Sequence, residues 1–196
     1  FYNFIKWQNI LNCNFKVSYL FQYKFQNEYY IENTLLCIDT KIGQTFFLSL
    51  GCSSEIFNKE NHDNTIREEN SGITVNMNNV ENYELKEKVL YKDKLFSVFE
   101  DILGTGIKYK EENQLIWQVD PKIYEKDGMK VQKATTTAYG RSWIAYFSNH
   151  YPLPYGPYKF NSLPGLITLV YDSEQNFIFK LNRIKNFYEI LHLNNW

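Results

Sequence analysis

The chain has 196 residues, of which 44% are hydrophobic and 18% aromatic, with 16 Tyr and 15 Phe. Its 21 Lys and Arg balance 22 Asp and Glu to a net charge of −1, which excludes the extended basic footprint that a nucleic-acid backbone requires. The length suffices for one domain with a real core, and no apolar run approaches the roughly 20 residues of a membrane-spanning helix.

Residues 1–11 place Phe1, Phe4, Ile5 and Leu11 at near-helical spacing, which Trp7 and Ile10 spoil. The segment reads as a short helix or a strand, and residues 1–12 as a loosely attached end. From Phe15 the period becomes two. Phe15, Val17, Tyr19, Phe21, Tyr23 and Phe25 alternate with Lys16, Ser18, Gln22, Lys24 and Gln26, the pattern of a half-buried strand. Ile31–Asp39 and Thr45–Leu50 read as two more strands around a turn at Lys41-Ile42-Gly43. Residues 52–72 are polar, and Ser53-Ser54 before Glu55-Ile56-Phe57 resembles a helix cap, so one short helix is expected there. Lys88–Tyr91 and Leu95–Phe99 form a hairpin turning at Lys92-Asp93, and Gly104 and Gly106 mark a break. Leu115–Val119 is a strand expected to stop at Asp120-Pro121, because proline has no donor for the ladder. Met129–Tyr139 and Arg141–Phe147 flank Gly140 as a hairpin. Leu166–Tyr171 and Phe177–Ile184 form the last one. Aromatic and β-branched residues favour such strands. Short turns between them imply an antiparallel meander, since parallel neighbours need long crossovers. Residues 1–196 are expected to form a single domain.

Between the last two hairpins lies a segment with four of the chain's five prolines: Pro152, Pro154, Pro157 and Pro164. It ends in Ser162-Leu163-Pro164-Gly165-Leu166-Ile167. Upstream stand Leu115-Ile116-Trp117, Gln132-Lys133-Ala134-Thr135-Thr136, Gly140-Arg141-Ser142-Trp143 and Ala145. Pro152-Leu153-Pro154 and Gly156-Pro157-Tyr158-Lys159-Phe160 follow. Residues 115–184 thereby resemble the GLPGLI family of small Gram-negative envelope proteins. Serine replaces the first glycine of the motif, Val131 stands where the family often has cysteine, and Met129 where it has an aromatic. The resemblance implies a periplasmic or outer-membrane location and a curved, half-barrel-like antiparallel sheet with one or two short helices. It implies no activity and no catalytic residue. The chain opens at Phe1 without a signal-peptide pattern and reads as a processed or trimmed product.

Several positions invite function. Arg141 offers a planar fork for an anion or carboxylate, or a structural ion pair or a stack on Trp143 or Tyr151. The Tyr151–Phe160 loop is narrowly specified by its prolines and Gly156. It suits either a rigid binding loop or a cover over an open end of the sheet. Gly165 after Pro164 is expected at positive φ, as in a type II turn. His150 borders the loop as a candidate polar group, though a lone histidine is more often a plain turn residue. His62, His150 and His192 form no metal motif, and no nucleophile elbow, P-loop or dinucleotide fingerprint occurs. Asp120, Asp127 and Asp172 sit at strand ends, where Asp serves turns. The three cysteines, Cys13, Cys37 and Cys52, admit one disulfide with a free thiol in an exported protein, or three buried thiols.

The first functional expectation is a non-catalytic binding protein without cofactor or metal. Its concave face would take an apolar or amphipathic ligand, a lipid or peptide, lined by Trp117, Trp143, Phe147 and Phe160, with Arg141 and His150 as polar anchors. The second is an assembly factor that docks another envelope protein through residues 151–164. An enzyme of unrecognised type ranks last.

Overall fold

The computed structural model describes residues 10–52, 66–69, 72–75, 85–102 and 105–192. Its strands are β1 (Ile10–Phe25), β2 (Glu28–Asp39), β3 (Gln44–Cys52), β4 (Ile66–Glu69), β5 (Gly72–Val75), β6 (Lys88–Lys92) and β7 (Leu95–Ile102). β8 (Thr105–Glu112), β9 (Gln118–Lys126), β10 (Met129–Ala138), β11 (Arg141–Ser148), β12 (Leu166–Asp172) and β13 (Phe177–His192) follow. No helix occurs among the described residues, so the expected short helices are not met there. Residues 1–9 and the Ser53–Phe57 cap lie outside them.

Eleven strands follow one path, β8-β7-β6-β3-β2-β1-β13-β12-β11-β10-β9, and every pair along it is antiparallel. β5 pairs with β4 and, in parallel, with the end of β13. The path is an up-and-down meander in which the chain's first and last strands, β1 and β13, pair. Only the β8–β9 seam stays open, and those two strands are neighbours in sequence.

That seam dictates the shape. Eleven flat strands would put the outer edges about 48 Å apart. The chain from Glu112 to Gln118 spans at most roughly 20 Å. The sheet therefore curls, and it stays open between β8 and β9. The loop between β11 and β12 occupies the enclosed side.

Local chemistry explains the turns. Gln26-Asn27, Asp93-Lys94, Asp127-Gly128 and Tyr139-Gly140 are adjacent pairs at positive φ. Such pairs make the primed turns whose twist matches antiparallel strands. The third of these hairpins went unread in the sequence. The second turns one residue later than its sequence suggested.

Other expectations are corrected. β9 runs through Asp120-Pro121 instead of stopping there. It is an edge strand, where a missing donor costs nothing, and its register with β10 shifts between Gln132 and Ala134. Leu115, Ile116 and Trp117 precede this strand. Gly106 lies inside β8, another edge strand, and β13 runs on to His192. Gly165 is not at positive φ. A Cβ there would collide with the carbonyl of Ser148, its carbon only 2.6 Å away, so glycine is needed for close approach of two backbones. Ser162, at the place of the motif's first glycine, does carry positive φ, 71°. Its hydroxyl accepts from Asn113 Nδ2 at 2.7 Å and donates to Asn161 Oδ1 at 2.9 Å.

Val17, Tyr19 and Phe21 of β1, Phe47 of β3, Phe96 and Val98 of β7, Phe147 of β11, Val170 of β12 and Phe179 of β13 meet in one core. Tyr19 donates to the Ile167 carbonyl at 2.8 Å across the width of β13. Cys13 and Cys37 form a disulfide between β1 and β2, with Cα atoms 5.4 Å apart.

Gly165→Val is expected to lower stability by at least about 3 kcal/mol through overpacking against Ser148. A thermal melt unchanged from wild type would refute the close-approach role.

Candidate functional site

The loop from Asn149 to Gly165 is the hub of the molecule. Phe160 is 1% exposed and is ringed by Trp117, Tyr139, Trp143 and Phe179, at centroid distances of 6.4, 6.4, 4.6 and 6.3 Å. Tyr158 packs on Phe47 and Phe179. Tyr155 packs on Tyr91. Gly156 lies against Ile167, where a Cβ would come within 2.7 Å of Cδ1. Leu153 and Leu163 are buried, while Pro152, Pro154 and Pro164 stay exposed.

The loop also ties down the two open edges. Lys159 is buried, with Nζ 3.0 Å from Glu111 Oε1 of β8. Its ammonium faces the rings of Tyr109, Tyr139 and Tyr158 at 5.4, 5.2 and 5.1 Å. A desolvated cation held by one carboxylate and three ring faces is a strong local anchor. Towards β9, Trp117 Nε1 donates to the Asn161 carbonyl at 2.8 Å, and Asn113 Nδ2 donates to Asn161 Oδ1 at 2.5 Å. The Lys159 cage was not legible in the sequence. Its tyrosines and glutamate come from β8, the β10–β11 turn and the loop, with no spacing to link them.

Of the positions singled out from the sequence, Trp117 and Trp143 meet Phe160 in the interior and Arg141 pairs with Asp172, but they do not join in one common site. Arg141 reaches Asp172 Oδ2 at 3.1 Å and stacks on Phe177 at 4.7 Å, not on Trp143 or Tyr151. Asp172 is buried and its Oδ1 accepts from the Phe177 amide at 2.8 Å, so the pair pins the β12–β13 hairpin. Trp143 donates to the Ala138 carbonyl at 2.9 Å and packs under Phe160. Trp117 and Phe160 likewise belong to the packed interior. His150 is exposed and edges onto Tyr151 at 4.8 Å. Among the described residues no three His, Cys, Asp or Glu side chains come together as a metal site.

Beside the loop an open groove of about 630 Å³ remains. Ile123, Met129, Val131 and Phe147 give it an apolar floor. Lys130, Gln132, Asn149, His150 and Tyr151 supply polar groups around it. Asn149 Nδ2 donates to Gln132 Oε1 at 3.1 Å, and Ser148 Oγ donates to the Lys130 carbonyl at 2.9 Å. These bonds hold the loop's entry to β10. Phe147 and His150 are the two sequence-derived positions that line this groove. Met129 and Ile123 were not singled out, because an exposed apolar residue on a strand carries no signal in the sequence.

Burial shifts the phenols. Tyr19 and Tyr158 are pushed well above the usual tyrosine value of 10, chiefly by desolvation. At Tyr158 the carboxylate of Glu87, which accepts its hydroxyl proton at 3.2 Å, adds to the rise.

No protein-family model and no curated protein matches this chain. Two solved structures of PNGF-II, in space groups C2 and P21, share the fold with TM-scores of 0.52 and 0.51 at 13% and 12% identity. In each comparison the match covers 88% of this chain and 28% of the PNGF-II chain.

A raised phenol pKa stabilises the fold fully below the unfolded-state value of 10 and loses that contribution as pH rises above it. In an alkaline ultraviolet titration, Tyr19 and Tyr158 are expected to ionise only as the protein unfolds. Smooth ionisation of every tyrosine near pH 10 with the fold intact would contradict their burial.

Proposed function

We propose that the chain is a non-catalytic envelope binding protein whose ligand, apolar or amphipathic, lies in the groove beside the proline loop. The carrying observation is the contrast between a filled interior and an open groove. The core around Phe160 is occupied by the protein's own rings. The groove offers an apolar floor with a few polar groups at its rim, the usual make-up of a small-molecule site. Trp117, Trp143 and Phe160 then belong to the packed interior and do not touch the ligand. His150 and Tyr151 would touch it, while Phe147 is buried beneath.

Docking of a partner through residues 151–164 is the weaker reading, because Leu153, Pro157, Phe160 and Leu163 are buried and leave mainly prolines at the surface. Catalysis has less support still, since Arg141, His150 and Asp172 are spent separately on an ion pair and a ring contact.

A periplasmic or outer-membrane setting accords with the family resemblance and with the Cys13–Cys37 disulfide, since such bonds persist in oxidising compartments. The comparison with PNGF-II shares the fold alone and carries no activity to this chain. A curled antiparallel sheet used as a carrier half-barrel suits the proposal only by fold-level analogy.

Two measurements test the reading. Thiol titration of the unreduced, denatured chain should count one free thiol, and a count of three would remove the case for an oxidising compartment. Native mass spectrometry of gently purified protein should show a bound lipid or peptide. Met129→Trp, which fills the groove, should abolish that adduct without changing the melt. An adduct that survives Met129→Trp would place the ligand elsewhere.

A further inference from the structure

On the face of β9, β10 and β11 that points away from the core lies an open depression of about 500 Å³ with no charged residue in its lining. Strand alternation builds it. Ala134, Trp143 and Ala145 pack into the core, so Thr135, Ser142 and Ile144 project from the opposite face. The ladder sets Thr135 between Gln118 and Ile144, and Thr137 opposite Ser142. Leu115 and Trp117 pack against the core, while Ile116 between them is 82% exposed and forms part of the rim. The Thr136 hydroxyl donates to the Ile116 carbonyl at 2.7 Å and fixes that segment to β10.

The absence of charge is local. Charged residues make up 22% of the chain, and β9 itself carries Asp120, Lys122, Glu125 and Lys126. An irregularity of the ladder sets these apart from Gln118. Between the Ile123–Gln132 and Val119–Ala134 pairs, Asp120, Pro121 and Lys122 stand opposite Lys133 alone. Bulges are frequent beside functional sites, where they re-aim side chains. Asp120 turns back on its own segment, accepting from the Lys122 amide at 2.9 Å and from the Tyr124 hydroxyl at 2.7 Å. Arg141, next to Ser142, is spent on Asp172. What remains is a set of neutral polar groups. Gln114, Gln118, Thr137, Ser142 and Ser173 are exposed and Thr135 is half-buried. None of these six side chains has a hydrogen-bond partner among the described residues.

We propose that this depression binds a neutral saccharide. Threonine and serine hydroxyls and glutamine amides each donate and accept, as sugar hydroxyls do, so both partners stay satisfied on contact. An ionic ligand would give up hydration there without gaining a countercharge. A wholly apolar ligand would strip water from unpaired polar groups and return no hydrogen bond. Ile116 and Ile144 offer apolar contact to the C–H face of a pyranose ring. The volume falls within the range of small-ligand sites, about 300–1,000 Å³. The site is separate from the groove beside the proline loop and does not depend on what that groove binds.

The experiment titrates the full chain with maltotriose, cellotriose, mannotriose and triacetylchitotriose, and with the acidic trigalacturonate, and follows the amide NMR signals. At least one neutral trisaccharide should shift the signals of Gln118, Thr135, Thr137 and Ser142 in a saturable way, and trigalacturonate should bind more weakly than that sugar. Thr135→Val/Thr137→Val removes two hydroxyls from a strand that accepts valine well and should weaken binding about tenfold. Ile116→Asp, at a position 82% exposed, should weaken it too without changing the melt, so a folding defect in the first variant cannot decide the result. Thr105→Val on β8 should bind as wild type. The proposal is overturned if no neutral trisaccharide shifts those signals, if the shifts fall outside the depression, if a folded site variant binds like wild type, if Thr105→Val loses as much as the site variants, or if trigalacturonate binds as tightly as the neutral sugars.

Discussion

The short connection between β8 and β9 governs the architecture. It joins the two outermost strands of an eleven-strand path. A connection of that length cannot cross the width of a flat sheet, so curling is obligatory. Curling creates an enclosed side lined by the aromatic stripes of β1, β3, β11 and β13. That side must be filled, because a void lined by Phe and Tyr forfeits both dispersion contacts and apolar burial. The β11–β12 loop fills it, and the loop's fixed path follows from that task. Gly156 and Gly165 permit contact distances that no other residue allows. Phe160 takes the centre of the resulting aromatic cluster.

The same loop answers the hazard of the open seam. Edge strands that stay unpaired invite pairing with other chains. Here β8 is held by the Lys159–Glu111 pair, and the segment entering β9 is held through Trp117 and Asn113 to Asn161. β9 carries Pro121 and β8 carries Lys108 and Lys110, features that blunt an edge. The seam remains open without being a free template.

Using the aromatics as structural fill leaves them buried against the loop. Side chains that look like a ligand-binding lining in a list of strands become the interior wall once the loop is in place. The surface left over is the groove beside the loop. It lies next to the register shift in the β11–β12 pair between Tyr146 and Phe147.

Much of this was legible in the chain itself. Period-two alternation in Phe15–Phe25 identified β1 and its buried face, because alternation is a local property of an extended backbone. Short turns at Asp93 and Gly140 identified antiparallel neighbours for the same reason. β8 was not legible, since its exposed edge position lets Lys, Glu and Tyr stand where alternation would otherwise show. The pairing of β1 with β13, the disulfide partner of Cys13 and the Lys159 cage depend on contacts between residues far apart in sequence. So does the reason for Gly165, which is the carbonyl of Ser148 and not its own φ. The sequence by itself determined a mainly β chain with a stiff proline loop and a rich aromatic stripe. Only the tertiary structure decided that the loop enters the stripe and fills it, because the curl that brings them together is a property of the whole sheet and of no single segment.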